Sequence, residues 1–155
     1  MDLTLKGKTA IVTGGGSNIA RSIVMTMAEE GANVAIFDID QAAAQAVVTQ
    51  VREGGASGRV EAYPTDVTDR QQVEDSIRRV VEDYGQVHIL VNGVGWDQMG
   101  AFLDQTPEFH DKIVDLNYMG SLRCMRAVLP HMVEHGYGRI VSLGSDAGRM
   151  GEYHE

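Results

Sequence analysis

Three consecutive glycines, Gly14-Gly15-Gly16, stand between a short apolar run over 9–12 and a helical pattern that opens at about Asn18. A strand, a tight glycine turn and a helix start together make a pocket for a pyrophosphate. Glycine lets the chain turn sharply and lets a phosphate approach the backbone. The first turn of the helix adds unpaired N–H groups and the positive end of its dipole. Gly14, Ser17, Asn18 and Ile19 are the candidate contacts for such a group.

Further positions extend that chemistry to a whole dinucleotide. Asp38 follows the second apolar run, 34–37, at roughly 20 residues after the glycine turn, where an acid accepts hydrogen bonds from the adenosine ribose hydroxyls. An acid there repels a 2′-phosphate, and Ile39-Asp40-Gln41 brings no Arg or Lys behind it. The expected cofactor is therefore NAD and not NADP. The competing reading is a strand-end acid that caps the next helix. Asp66 and Val67 close the third strand, at the adenine edge in this geometry, and Thr68 or Asp69 suits the cap of the following helix better. Asn92, Gly93 and Val94 form a turn at the end of the fourth strand and are expected to line the cofactor crevice.

The elements that must position these residues alternate. Strands are expected over 9–12, 34–37, 60–63, 89–91 and 139–143, with helices over 19–30, 41–53, 70–84 and 107–135. In the first helix Ile19, Ile23 and Met27 share a stripe. In the second Ala44, Val47, Val48 and Val51 point inward, and in the third Val73, Ile77, Val80 and Val81. Thr106 is the expected N-cap of the last, Pro107 its first residue, and Pro130 should kink or end it. Alternating β and α with mostly apolar strands implies an α/β fold, a doubly wound parallel sheet covered on both faces in three layers, in one domain spanning 1–155.

With 155 residues and a formal charge of −9, the chain is a poor match for sequence-independent nucleic-acid binding or for an anionic membrane. Its single cysteine, Cys124, excludes an internal disulfide and fits a reducing, cytoplasmic setting. No long apolar run suggests a secretory signal or a membrane span. Of the five histidines only His131 and His135 stand at i, i+4, and no HExxH pattern surrounds them, so no metal is expected. Trp96, Asp97 and Met99, after the fourth-strand turn, are read either as the floor of a substrate pocket or as loop packing.

Jointly, these motifs resemble the short-chain dehydrogenase/reductase family. Its Thr-Gly-x-x-x-Gly-x-Gly turn maps onto Thr13 to Ala20, and its Asn-Asn-Ala-Gly turn onto Asn92 to Gly95. Its Asn-x-x-Gly helix segment maps onto Asn117 to Gly120, and its serine strand onto Gly138 to Ser145. The resemblance implies a Rossmann fold and an NAD-dependent oxidoreductase that interconverts a secondary alcohol and a ketone as a homo-oligomer, dimer or tetramer. It also implies a small-molecule substrate, with Ser145 donating to the substrate oxygen and Asn117 holding a relay water through its backbone. Asn18 and Ala20 replace two motif glycines, and Asn tolerates positive φ. Gly93 and Val94 replace Asn and Ala, so altered cofactor contacts are expected. Gly95-Trp96-Asp97 and 145–149 most resemble members acting on cyclic hydroxyacyl-CoA thioesters, such as the 2-hydroxycyclohexanecarboxyl-CoA dehydrogenases.

The family's proton carrier is a tyrosine whose phenol, near ~10 when unperturbed, is lowered by a lysine four residues later. That tyrosine is expected about thirteen residues after Ser145, past Glu155. The chain therefore reads as the front part of a family member, incomplete on the C-terminal side of the sheet. Tyr153 and His154 are read as loop residues and not as substitutes. The alternative, for a chain that ends at Glu155, is a non-catalytic NAD(H)-binding protein.

Overall fold

Five strands lie parallel in the order β3-β2-β1-β4-β5. In the computed structural model, which describes residues 3–150, they are β1 (Thr9–Thr13), β2 (Asn33–Asp38), β3 (Val60–Pro64), β4 (Ile89–Asn92) and β5 (Arg139–Ser142). The helices are α1 (Asn18–Glu29), α2 (Gln41–Glu53), α3 (Arg70–Tyr84), α4 (Pro107–Val114), α5 (Gly120–Glu134) and the short α6 (Ala147–Met150). Tyr153 and His154 lie outside the described residues.

The alternation of β1 explains the three layers. Ala10 and Val12 pack with Val24, Val47 and Val51 on one face, whereas Ile11 packs with Val73, Ile77, Cys124 and Val128 on the other. All five β1 residues are buried. Truncating a fully buried Ile11 to Ala would cost about 2–5 kcal/mol. Burial also pushes the Cys124 thiol up to about 12, so the only cysteine stays protonated within the core.

The α4 cap falls where the sequence placed it, and the α3 cap at one of the two residues it offered. Thr106 Oγ1 accepts from the Phe109 N–H, with Pro107 opening α4. Asp69, not Asp66, caps α3, accepting from Gln71 and Gln72 N–H. Asp40, not Asp38, caps α2.

Some expectations need correcting. The inward stripe of α1 is Ala20, Val24, Met27 and Ala28, while Ile19 is 68% exposed. On α3 the fourth inward place goes to Ser76, with Val81 only partly buried. Pro130 does not end its helix. α5 runs through it to Glu134, because Arg126 and Pro130 lie on the exposed side, where solvent can serve the carbonyl that proline leaves unbonded. The departure from α geometry comes earlier, as one π-helical turn over Asp115–Met119. Finally, β5 is a sheet edge among the described residues, with Val141 50% exposed.

Candidate functional site

The chain steps from β1 outward through β2 to β3, then returns to place β4 on the other side of β1. At that reversal the connections leaving β1 and β4 diverge and open a crevice at the carboxyl ends of the strands. A cavity of about 870 Å³ occupies it, reaching from Asp38 and Asp66 at one end to Trp96 and Ser145 at the other.

The end of the cavity beside Asp38 is made by backbone. Gly14 has φ +70°, and its N–H donates to Phe37 O at 2.7 Å, lacing the turn to β2. Asn18 has φ +49°, the left-handed conformation expected of it. Ser17 stands at the N-cap of α1 but makes no side-chain cap bond, and the first turn holds no acid. The opening N–H groups of α1 therefore have no side-chain anion of their own to serve. Ile19 is exposed because it borders the cavity. Gly93 is required by its neighbours, since a Cβ there would stand 2.7 Å from Thr13 O and 2.9 Å from the Ala20 Cβ.

Asp38 is fixed by two N–H donors. Gly16 donates to its Oδ2 at 2.8 Å and Asp40 to its Oδ1 at 2.9 Å. Its carboxylate borders the cavity, which no Lys or Arg lines among the described residues. Asp66 Oδ1 takes the Thr68 N–H and hydroxyl at 2.8 and 2.7 Å, and Asp66 and Val67 both border the cavity. Val67 also explains Gly120, where a Cβ would lie 2.8 Å from Val67 Cγ2.

Among the candidates Asn92 stands apart. It is buried at the end of β4, off the cavity wall, and its Nδ2 donates to Ser142 Oγ at 3.2 Å across to β5. Gly93 and Val94 do line the cavity. Thr13, which the motif contains without an assigned task, holds them: its Oγ1 accepts from Gly93 N at 3.0 Å and Val94 N at 3.3 Å.

The opposite end is made by side chains. Asn117 Oδ1 accepts from Trp96 N at 2.7 Å, and its Nδ2 donates to Trp96 O at 2.8 Å. Both halves of the amide are thus engaged with the loop backbone. Lys112 Nζ lies 3.7 Å from the centre of the Trp96 ring, and the Phe109 ring tilts against it at 5.7 Å. Ser145 borders the cavity, and its Oγ accepts from Ala147 N at 3.2 Å. Phe109, Ile113 and Leu116 complete this wall. They were not singled out from the sequence, although their i, i+4, i+7 spacing after Pro107 was readable. His110, which also borders it, contacts Gln105 Oε1 at 3.0 Å.

A glycine cradle that a Cβ would fill, uncapped N–H groups and a clamped acid together suit a dinucleotide. The family model for short chain dehydrogenases matches residues 8–155. The chain belongs to that family. It is 30% identical over 149 residues to the 3-oxoacyl-(acyl-carrier-protein) reductase FabG of Thermotoga maritima, covering 96% of this chain and 60% of that protein. It is 34% identical to the 2,3-dihydroxy-2,3-dihydro-p-cumate dehydrogenase of Pseudomonas putida, with 96% and 57% covered. Its backbone superposes on NAD+-bound xylitol dehydrogenase with a TM-score of 0.90 at 31% identity, covering 97% of this chain and 57% of that one. The chain thus spans less than two thirds of the length of these relatives. Among the described residues no helix is long and apolar enough to cross a membrane.

Proposed function

We propose that this chain is the cofactor-binding part of an NAD-dependent oxidoreductase that interconverts a secondary alcohol and a ketone. The observation that carries the proposal is the continuous crevice between the clamped Asp38 carboxylate and the Trp96–Ser145 wall. Gly14, Ser17, Asn18 and Ile19 would hold the pyrophosphate, Asp38 the adenosine ribose, Asp66 and Val67 the adenine, and Gly93 and Val94 the nicotinamide half. Bound there, NAD supplies the two-electron redox chemistry.

The selectivity has a magnitude. A 2′-phosphate about 4 Å from Asp38 meets a repulsion of about 1–4 kcal/mol, depending on how wet the site is. The ribose hydroxyls of NAD instead meet an acceptor that Gly16 and Asp40 keep oriented.

At the other end the residues act on the substrate. The Ser145 hydroxyl would donate to the substrate oxygen and hold it at the nicotinamide side. Asn117 cannot do the same with its amide, which Trp96 occupies. Its part would be played by the backbone of the wide turn, holding a water in the path of the alcohol proton. The proton itself passes to a tyrosine in the family's chemistry, and none of the described residues lining the cavity is a Tyr or Lys. The apolar wall of Trp96, Phe109, Ile113 and Leu116 favours a substrate with hydrocarbon bulk around the carbinol, a cyclic alcohol or a hydroxyacyl thioester.

The same helix pair supports assembly with a second copy. Val114, Tyr118, Leu129 and Val133 are 54%, 62%, 43% and 75% exposed along α4, the π turn and α5, a stripe suited to a homodimer or homotetramer in the cytoplasm.

The test is turnover by the full-length protein with NAD+ and NADP+ against cyclic alcohols and hydroxyacyl-CoAs, followed by absorbance of the reduced cofactor. Turnover with NAD+ well above that with NADP+ is expected. A protein that binds neither nucleotide would overturn the proposal.

A further inference from the structure

The helix carrying Asn117 leaves α geometry where Asn117 sits. Over Asp115–Met119 it makes a single π turn, and the Gly120 N–H reaches back to Asp115 O. Such turns are rare and occur mostly as isolated turns within α-helices. One side chain grips this one. Arg123 Nη1 donates to Asp115 O at 3.3 Å, and its Nη2 donates to the Asp115 carboxylate. The Arg123 side chain is only 17% exposed, and a forked guanidinium on a carboxylate and a carbonyl fixes direction as well as distance.

We propose that Arg123 is a positioning residue. By holding the carbonyl and carboxylate of Asp115 together, it locks the wide turn in register and so aims the Asn117 amide at the Trp96 backbone. The geometry explains why the lock matters. α5 cannot shift, because Cys124, Val128 and Met132 are in the core and Gly120 rests on Val67. If Gly120 N–H took Leu116 O instead, the helix before it would turn by about 100° relative to α5. Asn117 would then leave both of its Trp96 bonds, and the cavity wall that Trp96 forms would lose its tether.

Trp96 is the one tryptophan of this chain, so its accessibility reads the tether without reference to catalysis. Acrylamide quenching of Trp96 is measured in the full chain for wild type, Asn117→Ala, Arg123→Leu, Arg123→Lys and the Arg123→Leu/Asn117→Ala pair. Asn117→Ala should raise quenching about twofold, as expected of a loop released to local opening. Arg123→Leu should match it, Arg123→Lys should recover part of the wild-type value, and the pair should not exceed Asn117→Ala alone. A wild-type value for Arg123→Leu, or additive effects in the pair, overturns the proposal. Should Arg123→Leu fail to fold, Asp115→Asn removes the carboxylate alone; increased quenching supports the proposal and a wild-type value overturns it.

A kinetic arm rests on the function proposed above. Arg123→Leu should lower kcat about tenfold and change KM for NAD+ less than about twofold, and an equal change in both overturns the positioning role. If the protein turns over no alcohol, the proposed function fails while the quenching result still decides this inference.

Discussion

At the proposed nucleotide end of the crevice, Gly14, Gly16 and Gly93 work by what they lack, whereas at the proposed substrate end Asn117, Lys112 and Arg123 work by what they carry. A Cβ at Gly16 would stand 2.8 Å from Asp38 Oδ2, and one at Gly93 2.7 Å from Thr13 O. The substrate end has no such constraint, since a Cβ at Gly95 would meet nothing closer than 3.7 Å. There the loop is held by the Asn117 amide and the Lys112–Trp96 contact. The two constructions fail differently. Adding atoms should break the first end, and removing them should loosen the second.

The largest expected effect is at Asp38. Asp38→Ala removes the acceptor for Gly16 and Asp40 N–H together with the proposed ribose contact. Hydrogen bonds to a charged group contribute about 1.5–3 kcal/mol, so NAD+ binding in the full-length protein should weaken about 10- to 100-fold by calorimetric titration. NADP+ should weaken less, and equal losses would remove the ribose role.

Adding one methyl comes next. Gly93→Ala forces a carbon against Thr13 O and Ala20, at a cost of about 1–3 kcal/mol for overpacking. Its melting temperature should fall by several degrees, and unchanged melting would mean the two turns can move apart. Thr13→Val keeps the shape but takes the shared acceptor from Gly93 and Val94 N–H. A loss of about 1–2 kcal/mol is expected in denaturant unfolding. The smallest effect should have the opposite sign. Asn18→Gly relieves a left-handed residue and should stabilise by less than about 1 kcal/mol, visible as a melting temperature raised by about 2 °C.

The same contrast governs how much could be read from sequence. Glycine runs and strand-end acids are local signals, so the turn at Gly14, the left-handed Asn18 and the place of Asp38 were all legible. The caps at Thr106 and Asp69 were legible for the same reason. The π turn was not, because Asp115 to Met119 contains no Gly or Pro, and the side chain that grips it, Arg123, stands two turns beyond Asp115. Pro130 offered a louder signal that solvent exposure cancels. Asn92 shares a motif with Gly93 and Val94, yet the strand's alternation turns it away to Ser142. Periodicity put Ile19 on the α1 stripe while the glycine turn offered it as a cofactor contact; it is exposed and borders the crevice.

The proposal places a nicotinamide dinucleotide in the crevice with its reactive end beside Trp96. Titrating NADH into the full chain while exciting Trp96 should then give saturable loss of Trp96 emission with matching sensitised NADH emission, reversed by competing NAD+ and weakened by Asp38→Ala. Trp96 emission that stays unchanged at millimolar NADH, or transfer that NAD+ does not displace, would contradict it.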